Sequence, residues 1–169
     1  MSKARHPVTL LVLAAALAVL AAVAGAATPP TDTSPCTRAQ TRAAFDSFLV
    51  AFDRGDHATL DSLFAAEPDF QWFSSFSPGR RLDPAAEDRG TLVPYFRARH
   101  RRGDQLRLVD FHFTGKARRW SNFYFDLRRR SRGYRDGRWF PTTGKGAAVC
   151  DGARASFIVM SIGGPTPRG

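Results

Sequence analysis

Between Phe45 and Phe73 the chain reads FDSFLVAFDRGDHATLDSLFAAEPDFQWF, and few folds satisfy such a stretch. Phe45, Phe48, Leu49 and Phe52 fall at i, i+3, i+4 and i+7, which lays one apolar stripe along a helix of about four turns. Gly55 supplies its C-terminal stop, and Asp56 caps a second helix. The second helix repeats the stripe as Leu60, Leu63 and Phe64; Pro68 ends it, and Phe70, Trp72 and Phe73 open an extended run. At about 1.5–3 kcal/mol for each large apolar side chain buried, the four stripe residues rival the net stability of a small domain. The first helix is therefore core, and the remaining chain must cover it.

Ahead of it, Lys3, Arg5 and His6 precede an unbroken apolar run, Val8 to Ala24, that closes on small residues at Ala24-Gly25-Ala26. Residues 1–27 read as a cleaved export signal, the alternative being an uncleaved membrane anchor. Residues 28–35, TPPTDTSP, form a polar, proline-rich linker. Cleavage takes Lys3 and Arg5 out of 25 basic residues and none of the 15 acidic ones, leaving a formal +8. So basic a chain favours an anionic envelope surface as partner; nucleic acid is the weaker candidate, because export argues against it.

Two cysteines, Cys36 and Cys150, stand at opposite ends of the expected domain, 36–163, with a tail at 164–169. In a secreted or extracytoplasmic setting they are expected to pair, the alternative being two separate buried thiols. Closing so long a loop contributes about 4–5 kcal/mol in the chain-entropy model.

Farther along, Phe76 to Asp88 reads as a long loop and a candidate lid. Thr91 to His100 reads as a third helix, with Pro94 in its first turn, Leu92 and Phe96 inward, and Arg97, Arg99, Arg101 and Arg102 polar. The period then changes to two. Leu106–Phe113 and Asn122–Arg129 are expected as neighbouring strands, with Val109, Phe111 and Phe113 on one face of the first and Phe123, Phe125 and Leu127 on one face of the second. Asp136-Gly137 signals a hairpin, and Gly144–Cys150 and Ala155–Ile162 are two more strands joined at Asp151-Gly152. Helices followed by an antiparallel meander define an α+β class.

This order, with Phe48, Ala51, Phe52, Gly55, Asp56, Leu60, Leu63, Phe64, Ala65 and Phe70 at its key positions, resembles the nuclear-transport-factor-2-like superfamily of ketosteroid-isomerase-like and polyketide-cyclase-like proteins. The resemblance implies a curved antiparallel sheet wrapped around N-terminal helices, a cystatin-like cone with an internal pocket, and is compatible with a homodimer formed through the open sheet face. It implies little about chemistry, because the fold hosts many activities. Aligned through Leu63-Phe64-Ala65, the isomerase base position falls on Trp72 and the oxyanion tyrosine on Phe48, neither of which does that chemistry. Asp69 lies three residues early. In the dehydratase-like and cyclase-like branches a His–Asp pair is expected, for which His112 and Asp126 are the candidates.

Other chemistry is thinly supported. His57, His100 and His112 lack metal-ligand spacing, so no metal and no cofactor is called for. Gly144-Lys145-Gly146 has the start of a phosphate loop but runs into a strand. Arginines at 128, 129, 130, 132, 135 and 138 surround Tyr134 and Trp139, a pattern used for polyanions, for which a solvated hairpin is the plainer reading. Trp72, Tyr95, Asn122 and Tyr124 offer large rings and polar tips, the inventory of a pocket for a small apolar ligand. The reading is thus an exported, non-catalytic binding domain, with a lyase or isomerase built on His112 and Asp126, or an arginine-rich envelope module, as alternatives.

Overall fold

A computed structural model describes residues 33–75, 85–132 and 137–163. The signal segment, most of the linker, residues 76–84 of the expected lid, residues 133–136 of the arginine hairpin and the tail 164–169 lie outside the described residues.

Helix α1, Arg38–Arg54, opens on a reciprocal cap in which the Thr37 hydroxyl accepts the Gln40 N–H and the Gln40 side chain accepts the Thr37 N–H. Its stripe turns inward as expected: Phe45, Phe48 and Phe52 are buried and Leu49 half-buried. Gly55 ends it at φ 68°, and the Asp56 carboxylate accepts the Thr59 N–H to cap α2, His57–Ser62. The left-handed turn suits glycine on two counts, since a Cβ there would also strike the His100 ring.

Among the described residues six strands form one unclosed sheet: β1 Ser34–Pro35, β2 Trp72–Ser75, β3 Gln105–Lys116, β4 Ser121–Arg130, β5 Phe140–Asp151 and β6 Arg154–Ile162. The order is β2-β6-β5-β4-β3, with β1 beside the far end of β5. The expected linker is thus shorter by two residues, because Ser34 and Pro35 pair with Cys150 and Val149. All pairings are antiparallel except β2 with β6, where Trp72 faces Val159 and Ser75 faces Ile162. The cause lies just after α2. The Ala65 N–H donates to the Phe157 carbonyl and the Phe157 N–H to the Leu63 carbonyl, so the chain already runs along β6 in its own direction when β2 begins.

Helix α3, Arg89–Arg101, starts two residues before the expected Thr91, because Asp88 and Thr91 make a second capping box. Pro94 therefore lies beyond the first turn. Arg99, expected among the polar residues, is buried: it stacks on the Tyr95 ring at 4.9 Å and donates to the Tyr95 hydroxyl at 2.7 Å. Near it the fully buried Arg129 donates to Asp104 at 2.7 Å. These two guanidiniums are structural, set where α3, β3 and β4 meet.

Strand β3 corrects the expected alternation. A bulge between Leu108 and Asp110 leaves Val109 exposed while Leu106 and Phe111 stay buried. Phe123, Phe125 and Leu127 of β4 all face the helices, as expected. Beside them Gly144 and Gly146 of β5 have a packing reason: a Cβ on Gly144 would collide with the Phe125 ring, and one on Gly146 would lie 2.5 Å from Phe123. The glycines of the phosphate-loop-like tripeptide let phenylalanines lie against bare backbone in mid-strand.

Phenylalanine fills the helix side of the sheet. Around Phe48 stand the rings of Phe45, Phe52, Phe64, Phe73, Phe96 and Phe157, with centroids 5.6–6.3 Å away. The Cys36–Cys150 disulfide, both halves buried with Cα atoms 5.0 Å apart, ties the start of α1 to the end of β5. The Ser121 hydroxyl donates to the Cys36 carbonyl at 2.7 Å beside it.

Candidate functional site

The position where the resemblance places an oxyanion tyrosine is thus the centre of a packed aromatic core. Trp72, at the base position, points away from that core because its neighbour Phe73 points in. The expected ligand set divides accordingly. Tyr95 sits on the helix side, its ring 5.5 Å from Phe73 and its hydroxyl held by Arg99. Trp72, Asn122 and Tyr124 meet on the opposite, open face, where they line a groove of about 710 Å³ with Gln71, Lys145 and Val159.

Strand register explains the groove. Trp72 of β2 lies opposite Val159 of β6, Val159 opposite Ala147 of β5, and Ala147 opposite Asn122 of β4. One cross-strand row is therefore a tryptophan, two small aliphatics and an amide. The next row along the strands carries Ser161, Lys145, Tyr124 and His112. A third carries Thr143, Asp126 and Asp110. The open face passes from apolar to polar to acidic over about 7 Å per row. A smaller hollow of about 350 Å³, lined by Asp126, Thr143 and Ser161, adjoins the groove across Tyr124 and Lys145.

His112 and Asp126 do meet: the imidazole Nε2 is 3.8 Å from Asp126 Oδ2. A closer carboxylate, Asp110 at 3.3 Å, is absent from the candidates named in the sequence, though it shares the strand parity of His112. Alternation about the inward Phe111 puts Asp110 on the open face with His112, opposite Asp126. All three side chains are about half exposed, so the cluster is a wetted edge of the groove. Lys145 was the other omission. A plain period-two reading puts it on the face opposite its glycine neighbours.

Away from the groove, the Asp53 carboxylate accepts the Leu106 N–H at 2.8 Å and straps α1 to β3. Burial raises its pKa, against the lowering effect of that bond and of Arg107 and Arg130. His57 and His100 meet edge-on at 6.0 Å. Burial lowers the His57 pKa, and Arg97 and His100 lower it further. At the Arg-rich end, Arg107 and Arg130 lie over the Trp139 ring at 4.4 and 5.3 Å. Among the described residues no group of three or more His, Cys, Asp or Glu side chains is placed to hold a metal ion.

No family model matches the chain. No curated protein matches it in sequence. Solved structures do match in fold. A protein of unknown function with a cystatin-like fold from Nostoc punctiforme superposes with a TM-score of 0.58 at 14% identity, over 77% of this chain and 93% of that one. A ketosteroid isomerase-like protein from Erwinia carotovora atroseptica gives 0.53 at 15% identity, over 76% and 96%. A nuclear-transport-factor-2-like protein with a cystatin-like fold from Novosphingobium aromaticivorans gives 0.57 at 12% identity, over 78% and 84%. The fold of the described residues is therefore the cystatin-like cone of nuclear-transport-factor-2-like proteins. Identities this low establish the fold alone.

Proposed function

We propose that the protein is an exported, non-catalytic binding domain that takes a small apolar ligand in the groove across its open sheet face. The row Trp72, Val159, Ala147 and Asn122 carries this reading, because it sets a large ring and an aliphatic floor beside a single amide, with Tyr124 as a wall. Among the described residues the rings around Phe48 pack the helix side, where a ligand was expected, which supports taking the groove on the other side of the sheet as the site. Export rests on residues 1–27 together with the Cys36–Cys150 disulfide, a bond that oxidising compartments sustain. The test is an amide and indole NMR titration with a panel of small aromatic compounds. Shifts are expected at Trp72 Nε1–H, Asn122, Ala147 and Val159. A folded protein unmoved by the whole panel would count against the groove.

The contacts of His112 with Asp110 and Asp126 favour a second reading, in which the imidazole is a general base at the groove's edge. Any turnover later found should then disappear in His112→Ala and weaken in Asp126→Asn; retention in both would dispose of it. The arginines braced on Trp139 support a third, an anionic envelope contact, whose retention on anionic vesicles should fall with added salt.

A further inference from the structure

The groove of the proposed binding site contains one cation that the apolar-ligand reading leaves without a task. Lys145 is exposed in the middle of β5, a strand paired on both sides by β4 and β6. Lysine is depleted in strand interiors, and its protective use is on edge strands, which β5 is not. Its direct cross-strand partners are neutral, Tyr124 on one side and Ser161 on the other. It makes no ion pair among the described residues. The nearest acidic side chains of the open face belong to the next row, where Asp126 and Asp110 both face His112. Lys145 lines the main groove and the smaller hollow beside it.

The groove therefore pairs an apolar floor at the Trp72 row with an ammonium and a phenol hydroxyl, Lys145 and Tyr124, one row on. Both groups can donate hydrogen bonds, and the ammonium only donates, a pair that suits an anion. The rows are two residues apart, about 7 Å along the strands. We infer that the ligand is an amphipathic carboxylate: its aryl or alkyl body lies on Trp72, Val159 and Ala147, and Lys145 takes its carboxylate. This inference rests on the groove being a binding site and goes further by assigning the charge of the ligand and the residue that reads it. The acidic row behind Lys145 sets a boundary, since Asp126 and Asp110 repel a second carboxylate and so favour a monoacid.

The experiment compares 3-phenylpropionate with the neutral 3-phenylpropan-1-ol by NMR titration and calorimetry, on wild type, Lys145→Met and Lys145→Arg. Wild type is expected to prefer the acid, Lys145→Met to lose about tenfold or more of that preference with the alcohol unaffected, and Lys145→Arg to keep most of it. Equal affinity of wild type for acid and alcohol, or an acid affinity unmoved in Lys145→Met, would overturn the assignment while leaving the groove standing. Binding of neither compound to folded protein removes the groove reading, and the assignment with it. Sedimentation runs alongside. A dimer that dissociates in Trp72→Ala would show that a second copy of the chain occupies the groove, and would likewise overturn the inference.

Discussion

Truncating Phe48 to alanine removes the ring around which Phe45, Phe52, Phe64, Phe73, Phe96 and Phe157 are packed. Loss of about 3–5 kcal/mol is expected in urea unfolding, at the high end if the surrounding rings do not collapse into the space. Phe48→Tyr, which restores the isomerase residue type, is expected to destabilise as well, since the hydroxyl enters a site walled by phenylalanine. His57 sets a pH dependence at the same scale. Its pKa is lowered by burial first, then by Arg97 and His100, so the folded state protonates at lower pH than the unfolded chain, whose histidine titrates near about 6.5. Unfolding thus takes up a proton in that interval. Stability from this group is complete above about pH 6.5 and is lost as the pH falls toward the folded value. Urea midpoints measured from pH 7.5 to 5 should show the decline, and His57→Gln should flatten that part of the curve; an unchanged slope in the variant would put the proton elsewhere.

Elements were legible where local chemistry and tertiary packing agree, and obscure where one residue breaks a period. The helical stripe, Gly55 and Asp56 stand where the sequence places them because stop, cap and buried face are written within one short segment. The Cys36–Cys150 bond was legible from compartment and position alone. Reducing it, or replacing both cysteines by serine, is expected to cost about 2–5 kcal/mol, measured as a fall in urea midpoint relative to the oxidised protein. The bulge at Val109 was not legible, since an apolar residue fits strict alternation as well as it fits a bulge. Missing it puts Val109 on the buried face, whereas the contact of Asp110 with His112 follows from plain alternation about Phe111. Arg99 was misplaced for a related reason. A helix-end arginine is usually solvated, and only its contacts with Tyr95 and Asp104 account for its burial. The parallel β2–β6 pairing came from a crossover after α2 that strand periodicity does not encode.

At the scale of the whole described domain, one sheet has two faces of different composition. Among the described residues phenylalanine packs the helix side, where the resemblance implies an internal pocket, and Gly144 and Gly146 let the rings lie against β5. The same alternation turns Lys145 to the open side, beside Tyr124 and one row from Trp72. Of the four residues assembled from sequence as a ligand set, three converge there because they share strand parity, and Tyr95 does not because it lies on a helix across the sheet. The most direct test is an intermolecular NOE experiment on the protein with 3-phenylpropionate. The account expects cross-peaks from the ligand's ring protons to the Trp72 indole and the Val159 methyls, with no cross-peaks to Phe48, Phe73 or Phe96. Cross-peaks to those core rings would place the ligand inside the cone and contradict it.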